Sequence, residues 1–133
     1  CMSEFIYKEE GYKIIGCFYN VYNTLGNGFL ESVYMEALSK EFEKNQIPYK
    51  AEEKIEVFYN EEKLKKFFKA DFLCYDDIIV EIKAEKFLSV ASKNQVLNYL
   101  KASNHKVAYL VNFGGDKIYI KRFINTPTSV KSF

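Results

Sequence analysis

The sequence has few of the residues from which cysteine and histidine metal centres are built. Its 133 residues include three cysteines and one histidine. The cysteines, Cys1, Cys17 and Cys74, form no C-x-x-C pair. Four suitably spaced ligands are therefore missing, which argues against a cysteine-ligated zinc or iron–sulfur centre. An odd number of cysteines without metal spacing indicates reduced thiols, and we expect two of them to pack in the core.

Long apolar runs and a strong net charge are also missing. Because there is no 18-residue apolar run and no signal peptide, we expect a soluble, cytoplasmic protein without a membrane partner. The net charge is only +1, which counts against tight general DNA binding, since such proteins are commonly more basic. Two local groups of lysines have two interpretations, as solvated faces or as phosphate contacts. The groups are Lys63, Lys65, Lys66 and Lys69, and Lys93, Lys101 and Lys106.

The residues that are present predict one ordered domain. Apolar residues make up 48% of the chain, with 11 Tyr and 12 Phe but no Trp, and charges are interspersed among them, as is typical of a globular protein. We assign residues 1–133 to a single domain with its core at 5–124. The tail, residues 125–133, contains Pro127 and small polar residues, so we expect it to be loosely ordered.

Hydrophobic periodicity predicts three helices and five strands. The helices are expected at residues 4–25, 29–45 and 90–103, with Gly26-Asn27-Gly28 between the first two and Ser89 as the N-cap of the third. Strands are expected at 54–59, 64–75, 78–84, 106–112 and 117–123, with turns at 60–62, near 76–77 and at 114–116. The order predicts an α/β fold in which a mixed sheet is flanked by helices.

The most informative pattern is D-x9-E-x-K, formed by Asp71, Glu81 and Lys83. Side chains alternate along a strand, so Glu81 and Lys83 share one face while Ile82 points to the other. Two carboxylates and an ammonium suit metal-assisted hydrolysis of a phosphodiester, with oxygen ligands for Mg²⁺ and a lysine that positions or deprotonates water. Taken alone, the pattern is weak, because E-x-K in a Lys- and Glu-rich protein usually means a solvated strand face.

Strand parity adds a geometric condition on this pattern. A two-residue turn at Asp76-Asp77 would leave Asp71 and Glu81 on opposite faces of the sheet, because it would set Asp71 across from Ile82. A three-residue loop, 75–77, pairs Cys74 with Ile78 and sets Asp71 across from Glu81. We therefore predict that loop, or a one-residue bulge, although short hairpins favour the two-residue turn.

Two helices carry further candidate residues. At 100° per residue, Met35 and Leu38 lie within about 40° of Glu31, so Glu31 heads an apolar stripe. Its alternative interpretation is a first-turn acid favoured by the helix dipole. On the third helix, Gln95 and Tyr99 lie one turn apart and could bind a phosphate or hold a catalytic lysine, or simply form the edge of an amphipathic helix.

These motifs carry a resemblance to a known family. The segment GFLESVY, residues 28–34, has the form G-x-x-E-x-x-Y, and the chain resembles the small prokaryotic GxxExxY family within the PD-(D/E)XK nuclease superfamily. The resemblance covers residues 23–123 and includes D-x9-E-x-K and Q-x-x-x-Y in the expected order. It implies a restriction-endonuclease-like fold with an αβββαβ core. Ala70 stands where the superfamily name has a proline, a position that varies widely among its members.

The resemblance also implies roles for individual residues. Asp71, Glu81 and the backbone carbonyl near Ile82 would bind Mg²⁺ or Mn²⁺, Lys83 would be the catalytic lysine, and Glu31 would supplement the metal site. The remaining pair, Gln95 and Tyr99, would support the site and contact nucleic acid. The implied function is metal-dependent hydrolysis of nucleic acid, with DNA favoured as partner and a homodimer left open. The alternatives are a non-catalytic nucleic-acid-binding or protein-interaction module on the same fold, and a purely structural partner in an assembly.

Overall fold

A computed structural model describes residues 6–125. The elements are three helices, α1 (Lys8–Leu25), α2 (Glu31–Lys44) and α3 (Val90–Ala102), and five strands, β1 (Tyr49–Tyr59), β2 (Glu62–Cys74), β3 (Ile78–Lys83), β4 (Val107–Asn112) and β5 (Tyr119–Ile124). Glu4 and Phe5, at the predicted start of the first helix, and the predicted tail beyond Asn125 lie outside the described residues. The element order that the periodicity predicts is confirmed.

The strands form one mixed sheet in the order β1-β2-β3-β4-β5. Strands β3 and β4 are parallel, and the other neighbours are antiparallel. A parallel pair needs a crossover connection, which α3 supplies. This arrangement confirms the predicted α/β fold, which is consistent with the restriction-endonuclease-like architecture. Within residues 6–125, no helix is both long enough and apolar enough to span a membrane.

The sheet separates two hydrophobic cores. On one face, Ile78, Val80 and Ile82 of β3 pack with buried residues of α1 and α2. On the other face, Ile79 of β3 packs with Val96 and Leu100 of α3. The strand alternation predicted for β3 is therefore confirmed, since both faces are buried and successive residues enter different cores. The two predicted buried cysteines are Cys17 and Cys74, both with free thiols.

Strand β1 begins at Tyr49, five residues before the predicted start. Tyr49 packs against the core under α1 and α2, whereas Ile55 lies in the core under α3. Residues an even number apart should share a face, but Glu52 between them has a left-handed backbone, with φ of 51°. Because this residue reverses the alternation, the apolar pattern of β1 is broken, and the sequence predicts only its second half.

Two turns also differ from the prediction. The β1–β2 hairpin closes through two residues, Asn60 and Glu61, because Tyr59 pairs with Glu62. Both turn residues have positive φ, as a type I′ turn requires. The β4–β5 connection is wider than the predicted glycine turn at 114–116, because the last pair joins Asn112 to Tyr119.

Candidate active site

The β2–β3 hairpin has the register that the strand-parity argument requires. Cys74 pairs with Ile78, which leaves a three-residue loop at 75–77. Tyr75 and Asp76 have positive φ, and the backbone N–H of Asp77 donates to the Cys74 carbonyl at 3.1 Å. The predicted three-residue loop is thus confirmed.

The two strands separate just where the acidic residues lie. Their ladder ends at the pair Phe72–Val80. Beyond it, the Asp71 carboxylate accepts a hydrogen bond of 2.7 Å from the backbone N–H of Ile82. This carboxylate thereby satisfies a strand N–H beyond the end of the ladder. On β2, Ala70 and Phe72 enter opposite cores although they are two residues apart, so the strand changes face at Asp71.

This local geometry brings Asp71 and Glu81 together. Burial, the Asp71 charge and a side-chain hydrogen bond with Asp71 raise the pKa of Glu81 to about 9. Two carboxylates in contact and partly shielded from water repel each other, so ionisation of both is disfavoured. A bound cation would offset the repulsion within this partly buried pair.

A cleft of 220 Å³ lies against Glu81 on the α3 side of the sheet. Glu81 and Lys83 line it from β3, and Gln95 and Tyr99 line it from α3. The predicted spacing on α3 therefore brings its two polar residues to the same cleft as the strand residues. Gln95 is exposed and its Nε2 lies 3.4 Å from the Tyr99 hydroxyl, to which it donates.

Strand β2 adds two residues to the cleft that motif reasoning did not assign to the site. Lys69 lines the cleft beside Lys83, so two ammonium groups border the space into which Glu81 projects. Phe68 also lines it and stacks on Tyr99, with ring centroids 4.0 Å apart and an interplanar angle of 12°. Lys69 belongs to the lysine group noted in the sequence, and it is the member of that group that lines the cleft.

Glu31 reaches the site from the first turn of α2. The residues that follow it on the same stripe, Tyr34 and Leu38, are fully buried, whereas Glu31 is exposed. Partial burial and the Asp71 charge raise the pKa of Glu31, while the Lys83 ammonium opposes this rise. The carboxylate is therefore within electrostatic range of two of the other candidate residues.

The remaining residues of the G-x-x-E-x-x-Y segment hold the turn that presents Glu31. Gly28 has φ of 102°, a conformation that favours glycine. The Tyr34 hydroxyl donates to the Gly26 carbonyl at 2.6 Å and accepts from the Phe29 N–H at 3.3 Å. The Tyr34 ring stacks on Phe113 at 4.6 Å, just after β4. The tyrosine is thus a positioning residue, which the sequence pattern alone does not reveal.

The segment after Lys83 is fixed by the end of β4. Buried Asn112 accepts from the Glu85 N–H at 2.9 Å and donates to the Glu85 carbonyl at 2.8 Å. Its Oδ1 also accepts from the Gly114 N–H at 3.2 Å. A Cβ on Gly114 would lie 2.4 Å from the Ala84 carbonyl carbon, so only glycine permits this approach. The predicted turn glycine therefore serves close packing beside the segment that follows β3.

The donor set fits a hard divalent cation. Two carboxylates, from Asp71 and Glu81, and a nearby strand carbonyl are the oxygen ligands that Mg²⁺ and Mn²⁺ prefer, with waters completing the shell. Among residues 6–125, no group of three or more His, Cys, Asp or Glu side chains is arranged to hold a metal ion. The acidic side chains that the structure brings into contact are thus those of Asp71 and Glu81, with Glu31 in electrostatic range of Asp71.

Comparison with known proteins agrees with this architecture. The family model of the PD-(D/E)XK nuclease superfamily matches residues 8–123. Neither the curated proteins nor the solved structures include a match to this chain. The matched region contains all three helices, the strands that separate at Asp71, and every candidate site residue. The chain therefore belongs to the PD-(D/E)XK nuclease superfamily.

Proposed function

We propose that the protein is a metal-dependent nuclease that hydrolyses phosphodiester bonds of nucleic acid, with DNA as the favoured substrate. Membership of the superfamily supports a nuclease-like function with a nucleic-acid substrate. The observation that carries the proposal for this chain is the contact of Asp71 with Glu81 where β2 and β3 separate. Partial burial of two carboxyl groups in contact is unfavourable without a function or a cation to offset it.

In this proposal, Asp71, Glu81 and the Ile82 carbonyl bind Mg²⁺ or Mn²⁺. A cation held there would polarise the scissile phosphate and lower the pKa of a bound water. The Asp71 carboxylate is already oriented by the Ile82 N–H at 2.7 Å. Glu31, in electrostatic range of Asp71, would act on this site directly or through a water.

The other cleft residues would bind and orient the substrate. Lys83 shares the cleft with Glu81, so its ammonium can orient the attacking water and stabilise charge that develops on the phosphate. Gln95 and Tyr99 would contact the nucleic acid from α3, and Lys69 would add a second cation from β2. The product implied by superfamily resemblance is a 5′-phosphate.

Several finer assignments belong to the same proposal. The turn held by Gly28 and Tyr34 around Glu31 supports placement in the prokaryotic GxxExxY group. The free, buried thiols of Cys17 and Cys74 are typical of a reducing compartment and support a cytoplasmic location. A homodimer stays an untested prediction.

The experiment is a cleavage panel of single-stranded, duplex, branched and RNA substrates with Mg²⁺ or Mn²⁺. We expect wild-type protein to cleave at least one substrate and Lys83→Ala to lose that activity while it keeps the fold and much of the metal binding. Lys40→Ala, at an exposed position on α2, is the matched control and should cleave normally. Equal cleavage by wild type and Lys83→Ala would assign the activity to another site or a contaminant.

The alternative is a non-catalytic nucleic-acid-binding or protein-interaction module. The near-neutral charge of +1 favours it. Such a module would bind nucleic acid or a protein but would cleave no substrate of the panel in the presence of either Mg²⁺ or Mn²⁺.

A further inference from the structure

Exposed apolar side chains are concentrated around the candidate site. Ten large hydrophobic residues are exposed in residues 6–125, and five of them lie in two short segments. One segment surrounds Glu31, and the other joins Lys83 to α3. We call this set the apolar rim: Phe29, Leu30, Val33, Phe87 and Val90. Such concentration at one site is unlike the scattered exposure normal for a soluble protein.

The two segments meet at the same end of the sheet. The Gly115 carbonyl accepts a hydrogen bond of 3.1 Å from Asn27 Nδ2, and a Cβ on Gly115 would lie 3.7 Å from the Lys86 carbonyl oxygen. The charge of Glu85, two residues before Phe87, raises the pKa of Glu31. The two segments of the apolar rim are thus linked through Gly115, and Glu85 lies within electrostatic range of Glu31.

Two rim residues have no stabilising role that would explain their exposure. Leu30 is 75% exposed and occupies the N-cap position of α2, where it makes no side-chain cap. Ser, Thr, Asp or Asn would stabilise the helix there. Phe87 is 83% exposed, and the Lys86 ammonium lies 5.7 Å from its ring centroid. An aromatic ring beside an ammonium is the pairing that binds a base and its adjoining phosphate.

We propose that the apolar rim binds unpaired bases of the substrate strand, so that the protein prefers single-stranded or frayed DNA to continuous duplex. This inference rests on the proposed function, because the rim residues flank Glu31 and follow Lys83 in the chain, so a strand held at these candidate residues would pass the rim. In a duplex, the flat faces of the bases are already stacked and cannot contact Phe87. Moreover, the chain has a net charge of only +1, which gives little basis for recognition by phosphates alone.

The test measures binding separately from cleavage. Lys83→Ala protein in Mg²⁺ is titrated by fluorescence anisotropy with a mixed-sequence single strand and with a duplex closed by hairpins at both ends. Adding Phe87→Ala should weaken single-strand binding about fivefold or more, as expected for loss of one stacked base, and should leave duplex binding unchanged within twofold. Phe87→Trp should restore the single-strand affinity.

Two further variants separate recognition from damage to the fold. Leu30→Ser introduces a preferred N-cap, so it should raise the melting temperature while it weakens single-strand binding. Tyr12→Ala is the matched control, because Tyr12 is 82% exposed and lies about 15 Å along α1 from Tyr22, which contacts the Gly115 loop. It should leave both affinities unchanged.

The outcomes distinguish the two proposals. If single-strand binding depends on Phe87 but wild-type protein cleaves nothing, the nuclease function is refuted and the rim proposal is kept. Equal loss for both substrates on Phe87→Ala, no loss at all, or a preference for duplex would overturn the rim proposal whatever the cleavage result. The same loss with Tyr12→Ala would also overturn it.

Discussion

Substitution of Gly114 by alanine tests how tightly the end of β4 holds the segment after Lys83. The added Cβ would lie 2.4 Å from both the Ala84 carbonyl carbon and the Glu85 nitrogen. These are backbone atoms, which cannot rotate away as a side-chain end can. Since ordinary contacts begin near 3.4 Å, the two segments must separate by about 1 Å, a distortion expected to cost about 1–3 kcal/mol.

That free energy corresponds to a measurable change in thermal unfolding. For a chain of 133 residues, the usual entropy per residue gives about 3–4 °C per kcal/mol, so Gly114→Ala should lower the melting temperature by about 3–12 °C. The displacement would also move the segment that carries Lys83, and a 1 Å misplacement can reduce turnover about 100-fold. We therefore expect cleavage to fall more than the unfolded fraction explains.

Gly16 provides the matched control on the same chain. It lies within α1, is exposed, and an added Cβ would meet nothing within 4 Å. Alanine stabilises an exposed helix position by about 0.5–1 kcal/mol relative to glycine, so Gly16→Ala should raise the melting temperature by about 2–4 °C. If Gly114→Ala is as stable as Gly16→Ala, the close approach of β4 to the segment after Lys83 is wrong.

Three other variants test neighbouring parts of the site. Because the pKa of Glu81 is raised from 4.5 to about 9, protonation of Glu81 favours folding, and this stability is lost as the pH rises from about 4.5 to 9. In EDTA, the melting temperature of wild type should therefore fall over that pH window relative to that of Glu81→Gln. Parallel curves of melting temperature against pH would refute the raised pKa. Asn112→Ala leaves part-buried Glu85 backbone groups without partners and should destabilise by about 1–3 kcal/mol, measured by urea unfolding. An unchanged midpoint would contradict its role. Ser89 caps α3 by accepting from the Ser92 N–H at 3.1 Å, so Ser89→Ala should cost about 1 kcal/mol, and Ser89→Asp, which keeps the cap, should not.

Much of the site could be predicted because it depends on local periodicity. Alternation along β3 separates Glu81 from Ile82, and strand parity requires the three-residue loop that pairs Cys74 with Ile78. The N-cap at Ser89 is confirmed for a similar reason. These features depend on residues close together in the chain, so the sequence contains the necessary information.

Other parts depend on contacts between distant segments. Glu52 has a left-handed backbone that reverses the faces of β1, and nothing in its residue type indicates this. Glycine is a common turn residue, yet Gly114 is required for a different reason, because the Ala84 backbone approaches it too closely for a side chain. Tyr34 has the spacing of a core residue, but its hydroxyl holds the turn before Glu31. Such roles emerge only when β3, β4 and α2 are packed together.

The central claim is that Asp71 and Glu81 form a divalent-cation site, and isothermal titration with Mn²⁺ tests it most directly. Asp71→Asn keeps an oxygen that can accept from the Ile82 N–H but removes the ligand charge. Asp76→Asn is the control, since this side chain is 85% exposed in the adjoining loop and asparagine tolerates its positive φ. We predict Mn²⁺ uptake by wild type and Asp76→Asn, and negligible uptake by Asp71→Asn. Equal uptake by wild type and Asp71→Asn, including none by either, would contradict the account.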